Sequence, residues 1–328
     1  MTILLTGGSG FLGSHIAEQL SKAGRKVRAL VRKTSDTRFL ETLENVELTE
    51  GAVGDVDSVL AAAKGVTAIV HSAGLVKART PEEFHKVNAG GTETMLAAAL
   101  QEKGTLKRFV LVSSLAAAGP SDAQGTPVSI DAAPQPVTHY GRSKLAAERA
   151  TLAKKGDVPV TIIRPPAIYG PRDREILAFF KALNARILPY MGSTANKLSM
   201  IHGADCARAC IAAIDADVAS GSTFFVDDGN VYTFDDLVKN AEAALGRKAW
   251  LRFPVPKPVI RTAAFASETY GRLTNTAVML TRDKCNELFD QWVCDGSIAR
   301  EQLAWKPEHN FRDGAKSTVA WYKNEGWL

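Results

Sequence analysis

The first thirteen residues restrict the fold more than any other part of the chain. Thr2, Ile3, Leu4 and Leu5 form the short apolar run of a strand buried on both faces, and residues 6–13 then read TGGSGFLG. Gly7, Gly10 and Gly13 recur at every third position, and the amphipathic run His15–Ala23 follows, with Gly24 placed to end it. A strand that enters a helix through such a turn belongs to a βαβ unit. There Gly7 permits the tight turn, Gly10 lets the backbone approach a pyrophosphate, and Gly13 lets helix and strand pack closely. The helix N-terminus adds free N–H donors and a positive dipole end. Gly7, Ser9, Gly10, Phe11, Leu12 and Gly13 are therefore the expected cradle of a dinucleotide.

The same rhythm continues downstream. Apolar runs at 27–31, 67–71, 108–113 and 161–163 read as strands, and 88–102 and 140–155 as helices stopped by Gly104 and Gly156. Alternating strands and helices require right-handed crossovers and a parallel sheet covered on both faces. Residues 224–226 add a further strand, after which Thr233 caps a helix ending at Gly246. The expected fold is α/β, a Rossmann-type doubly wound parallel sheet. From about Ile168 the rhythm breaks, and 171–200, 246–280 and 285–328 carry Pro, aromatics and irregular helices. This predicts a cofactor-binding domain over 1–170, with 201–232 returning to it, and a smaller, mostly C-terminal substrate-capping domain from 171–200 plus 233–328.

Composition narrows the function. Forty basic against 35 acidic residues give a net charge of +5 with no dense Lys/Arg run. That argues for neither nucleic acid nor a membrane surface as partner, and mildly favours an anionic small molecule. Cys206, Cys210, Cys285 and Cys294 form no C-x-x-C pair and lack a histidine pair to complete a metal set, so no metal is expected and the thiols read as small buried hydrophobes. A strand beginning at residue 2 leaves no room for a signal peptide, and no apolar run is long enough to span a bilayer. A soluble, cytoplasmic protein is expected.

In a dinucleotide fold the residue ending the second strand faces the adenosine ribose, where an acid binds the 2′-hydroxyl and a cation accepts a 2′-phosphate. The strand at 27–31 ends in Arg32 and Lys33, which favours NADP(H) over NAD(H) unless both are merely solvated loop cations. Asp55, beside Val56, reads either as an acid for the adenine amino group or as a helix N-cap. Ala73 and Gly74 follow the strand ending at His71, where small residues let the chain lie against a cofactor.

Tyr140 and Lys144 are four residues apart, hence on one helix face with Cβ atoms about 5–6 Å apart. The ammonium is expected to draw the phenol's pKa down from near 10, making Tyr140 a proton donor or acceptor at a carbonyl or alcohol. Ser114, just beyond a strand, is placed to donate to the substrate oxygen; Ser113 is the second choice, and His139 reads as loop. Tyr140, Lys144 and Ser114 with a cofactor cradle imply hydride transfer.

These residues resemble the extended short-chain dehydrogenase/reductases over essentially the whole chain. The matching segments are TGGSGFLG at 6–13, GDV at 54–56, HSAG at 71–74, VNAGGT at 87–92, SS at 113–114, YGRSK at 140–144, RPPAIYGPRD at 164–173 and IHGADCARA at 201–209. The resemblance implies that Ser114, five residues before Gly119, is the catalytic serine, and that Lys144 grips the nicotinamide ribose. It further implies that Asn88 holds the catalytic helix or a relay water, and that Pro165, Ala167 and Ile168 border the nicotinamide amide. Family habit also admits a homodimer through the helices at 92–102 and 140–155. Nucleotide-sugar members often carry an arginine where this chain has Leu198, with Lys197 beside it, and an acid where it has Arg32. Both departures favour a reductase or dehydrogenase acting on a largely apolar molecule. The apolar runs 176–188 and 255–266 are expected either to line its pocket or to form the small domain's core. The alternatives are a nucleotide-sugar epimerase or dehydratase that recycles NAD(P), met through Lys197, Arg186 or Lys284, and a non-catalytic cofactor sensor.

Overall fold

The computed structural model describes residues 1–328, apart from the side chain of residue 286. Strands β1 (Thr2–Thr6), β2 (Lys26–Val31), β3 (Val46–Glu50), β4 (Ala68–His71), β5 (Arg108–Val112) and β6 (Val160–Arg164) join an edge strand, Ser222–Phe225, in one sheet. Their spatial order is edge–β6–β5–β4–β1–β2–β3, with every pair parallel. The chain winds outward from β1 through β2 to β3, then crosses back to β4 and winds the other way. The reversal lies between β1 and β4, where Thr6 pairs with His71. Ligands of such sheets bind in the crevice beyond the strand C-termini at this point.

The strict alternation of side chains along β1 sends Ile3 and Leu5 to one face and Leu4 to the other. On the first face they pack with Ile16 and Leu20 of helix α1 (Phe11–Lys22) and with Cys206 and Cys210 of the helix Gly203–Asp215. On the second, Leu4 joins Ile69, Phe109, Met95 and Ala147. Truncating one of these fully buried leucines to Ala should cost about 2–5 kcal/mol. All four cysteines are free and buried.

Strand β3 escaped the sequence reading because Val46–Glu50, VELTE, is a polar edge strand with no buried residue. Two small sheets were also missed. One orders Val231–Thr233, Lys197–His202 and Ala167–Tyr169; the other pairs Ile187–Met191 with Leu251–Val255, both interrupted by proline.

A third core gathers Tyr169, Phe180, Leu183, Met200, Leu237, Phe311 and Tyr322. The helix Phe234–Leu245 has the caps its sequence demands: Thr233 and Asp236 form a capping box, and Gly246 closes the end at φ 68°. The residues of 176–188 proposed for a pocket are spent here, with Leu177, Phe180, Leu183 and Leu188 all buried. No described helix is long and apolar enough to cross a membrane.

Candidate functional site

The glycine turn sits at the mouth of the crevice. Gly7 has φ 75°, and a Cβ on it would lie 2.7 Å from the backbone nitrogen of Ala73. A Cβ on Gly13 would overlap the Gly7 carbonyl. The turn from β1 and the segment after β4 therefore touch only because these positions lack side chains. Gly10 occupies the N-cap of α1 with no side chain to cap it, so the helix N-terminus stays available to an anionic group. These features fit a dinucleotide pyrophosphate.

Behind the turn a buried polar chain fixes the geometry. Thr92 Oγ1 donates to Asn88 O (2.7 Å), so it accepts from His71 Nε2 (3.1 Å). His71 Nδ1 then accepts from Thr6 Oγ1 (2.7 Å), which in turn accepts from the Ala73 amide (3.2 Å). Burial, reinforced by the charge of Lys144, pushes His71 down to about 3, so the imidazole is neutral. Asn88 extends the chain: its Oδ1 accepts from Leu75 N (2.7 Å), and its Nδ2 donates to Leu75 O (3.1 Å) and Ser143 Oγ (2.9 Å). Ser143 donates to Tyr140 O (2.7 Å). Asn88 thus ties the segment beside Gly74 to the helix His139–Leu152. It lies in a π-helical stretch, His85–Gly90, that the sequence reading took as plain α-helix.

Thr138 caps the helix His139–Leu152, and Tyr140 and Lys144 project from its first turns. Lys144 Nζ donates to Val112 O (2.5 Å) at the end of β5, and lies 3.9 Å from where a Gly74 Cβ would sit. Burial lowers its ammonium to about 8, with Glu148 drawing it part of the way back. The expected fall in the Tyr140 pKa is not found. Burial pushes the phenol up to about 12; hydrogen bonding by Ser114 offsets part of the rise, and the charge of Glu287 adds to it. Lys144 does not offset this burial, its ammonium being turned to Val112 O.

The two adjacent serines have different partners. Ser113 donates to Glu148 Oε1 (2.5 Å), and Glu148 is gripped by Arg164 through Nε (2.9 Å) and a second nitrogen (2.7 Å), all buried. Ser114 Oγ accepts from Ala116 N (3.1 Å) as the cap of a short helix, and its hydroxyl also hydrogen-bonds the Tyr140 phenol. The sequence reading missed Glu148, although it stands four residues beyond Lys144 on the same helix face. It also missed Glu287, whose Oε2 is buried without a partner. His139 is the first helical residue; its amide donates to Asp283 (2.6 Å).

The remaining residues lie farther out. Arg32 and Lys33 are exposed beyond β2 in a turn closed by Ser35 N to Arg32 O (2.8 Å). The one acid of that loop, Asp36, is held by Arg38 (2.6 Å). Asp55 stands at the N-cap of the helix Val56–Ala63 but makes no capping bond, so its exposed carboxylate is free. Pro165 O accepts from Leu115 N (2.8 Å), while Ala167 and Ile168 pair with Met200 and Ile201, so this backbone is largely committed. Beside Tyr140 a narrow cleft has a mixed lining, with Val76, Phe84, Val278 and Met279 on its apolar walls and Lys77, Asp283 and Lys284 among its polar ones. It takes nothing from 176–188 or 255–266.

A doubly wound sheet with a glycine-turn crevice and a Tyr/Lys/Ser group at its C-terminal edge defines an NAD(P)-dependent oxidoreductase of the extended short-chain type. The chain belongs to the NAD dependent epimerase/dehydratase family, whose model matches residues 3–226. It is 34% identical to the ceramide reductase of Caulobacter vibrioides, over 99% of this chain and 96% of that protein. It is 27% identical to a 3 beta-hydroxysteroid dehydrogenase/Delta 5-->4-isomerase of Mycobacterium tuberculosis, over 79% and 73%. In fold it is similar to the UDP-glucose 4-epimerase of Thermotoga maritima solved with UDP-glucose, with a TM-score of 0.80, 21% identity and 99% of both chains covered.

Proposed function

We propose that this protein reduces a ketone on a largely apolar molecule to a secondary alcohol, using NADP(H). The observation that carries the reading is the meeting of Tyr140 with Ser114, and of Lys144 with the segment at Gly74, at a cleft whose walls include Val76, Phe84, Val278 and Met279. Bound NADPH supplies the hydride. Arg32 and Lys33 are unpaired where a 2′-phosphate would lie, and the loop's only acid is engaged by Arg38.

The chain's own groups do the rest. Burial pushes the Tyr140 phenol up to about 12, so it is protonated at neutral pH and placed to act as a proton donor. As the carbonyl carbon takes the hydride, its oxygen takes the Tyr140 proton. Ser114, already accepting from Ala116, turns its own proton towards that oxygen. Lys144 supplies the nearby positive charge and a donor for the ribose.

The substrate reading rests on three placements and on relatives named for a ceramide and a steroid. Leu198 packs against the third core instead of facing a diphosphate. Lys197 donates to Gln124 O (3.0 Å), and Lys284 is paired with Glu287 (2.6 Å). A UDP-sugar epimerase reading keeps the likeness of fold and a relative, the UDP-glucose 4-epimerase of Vibrio cholerae, 27% identical over 97% of this chain. The test follows NADPH absorbance with apolar ketones and, separately, UDP- and dTDP-sugars. Net NADPH loss with a ketone, abolished in Tyr140→Phe while NADPH binding persists, supports the proposal. Sugar conversion without NADPH loss refutes it.

A further inference from the structure

The whole chain's charge excess is concentrated in one stretch. Residues 247–274 hold six of the 40 basic residues and one of the 35 acidic ones, a local excess of five that equals the total. The other 300 residues carry 34 of each. All six cations are exposed. Glu268 is held by Arg282 and Arg252 by Glu242, leaving Arg247, Lys248, Lys257, Arg261 and Arg272 without an ion pair among the described residues.

The same stretch carries the most exposed large apolar side chains in the molecule: Leu273 at 83%, Trp250 at 76%, Tyr270 at 63%, Val259 at 55% and Phe265 at 54%. The helix Lys257–Thr274 turns Ile260, Ala264 and Gly271 inward, the first two packing with Cys285. Its outer face presents Val259, Ala263, Ala266, Tyr270 and Leu273, spaced as one helical stripe. Apolar exposure continues onto the preceding strand through Leu251 and Phe253. With the apolar stripe on one face and Lys257, Arg261 and Arg272 on the opposite face, the helix has the two-faced pattern of one lying at the boundary between headgroups and acyl chains of an anionic bilayer.

This surface is continuous with the cleft. Beyond Leu273 the chain passes Asn275, whose Oδ1 accepts from Arg79 (3.0 Å), and reaches Val278 and Met279 in the wall beside Tyr140. Gly271 packs directly on Val278: a Cβ there would lie 3.0 Å from it. We propose that the face built on Lys257–Thr274 docks peripherally on an anionic lipid surface, so that a lipid-borne ketone enters the cleft from the membrane. The charge excess, counted by segment instead of by runs, thus points to a membrane surface that the sequence reading had set aside. The inference extends the apolar-substrate reading, but its test is binding and does not require turnover.

The experiment is co-sedimentation of the full chain with vesicles of phosphatidylcholine, with and without one third phosphatidylglycerol. Expected is about tenfold stronger binding to the anionic vesicles, weakening as salt rises. Leu273→Glu should abolish it, and Arg261→Gln with Arg272→Gln should remove the preference for anionic lipid. Both variants should keep the wild-type melting temperature, since these side chains are exposed. Equal or absent binding to both vesicles overturns the proposal. So does a wild-type dimer in sedimentation velocity that Leu273→Glu dissolves, which would make the face a contact between two copies. Lipid binding without any ketone reduction would leave the docking face standing and refute the reductase reading alone.

Discussion

Lys144 should weaken the fold it belongs to. Its ammonium is buried, and the surroundings lower it from 10.5 to about 8. Each unit of difference corresponds to about 1.4 kcal/mol between the two protonation states, so holding the charged form in the fold at pH 7 costs about 3 kcal/mol. Lys144→Met removes that cost and forfeits the bond to Val112 O, whose net contribution is about 1 kcal/mol. The variant should therefore be about 2 kcal/mol more stable at pH 7, while losing most of its turnover. The sign follows from proton binding. Between pH 8 and 10.5 the unfolded chain holds a proton that the native state has released, so wild-type stability from this group rises with pH. The advantage of Lys144→Met should be constant below pH 8, shrink by about 1.4 kcal/mol per pH unit above it, vanish at about pH 9.5, and give way to a deficit of about 1 kcal/mol by about pH 10.5. Urea unfolding of the cofactor-free protein, followed by tryptophan fluorescence, reads this as a midpoint raised by about 0.5–1 M at pH 7. A destabilised variant at pH 7, or a difference that does not change with pH, would refute the reasoning.

Two further outcomes bear on the site. Ser114→Ala should lower kcat by about 10²–10³ with little change in KM, because its proton is needed only as charge develops on the substrate oxygen; Ser113→Ala should instead lower the melting temperature, since Ser113 donates to Glu148 beside Arg164. Arg32→Asp should shift the ratio of kcat/KM for NADPH and NADH towards NADH by at least about tenfold, the loss expected for one charge-assisted contact to phosphate. An unchanged ratio would remove Arg32 from the cofactor site.

Much of the site was legible because its signals are local. A glycine at every third position after an apolar run can hardly serve anything but a strand-to-helix turn, and Tyr140 and Lys144 must share a helix face once that segment is helical. Thr233 and Gly246 announce the ends of a helix by capping chemistry alone. Strand β3 was lost for the complementary reason: an edge strand is wetted on one side and need not be apolar. Lys197–His202 was lost because its sheet has only three short strands.

The sequence by itself determined the order of the apolar strands β1, β2, β4, β5 and β6, the turn that receives the dinucleotide, and the spacing of Tyr140 from Lys144, all consequences of period and backbone geometry within a few residues. Tertiary structure alone decided the rest. It committed Ser113 to Glu148 and set Ser114 against Tyr140, because only folding brings Arg164 and Glu148 together from different elements. It raised the Tyr140 phenol instead of lowering it, because burial outweighed a neighbouring ammonium that is turned to Val112 O. It sent Leu177, Phe180 and Leu183 into a core while leaving Val259, Tyr270 and Leu273 in solvent, although both stretches are apolar helices. Hydrophobic periodicity says which side of a helix wants cover; what covers it depends on segments a hundred residues away.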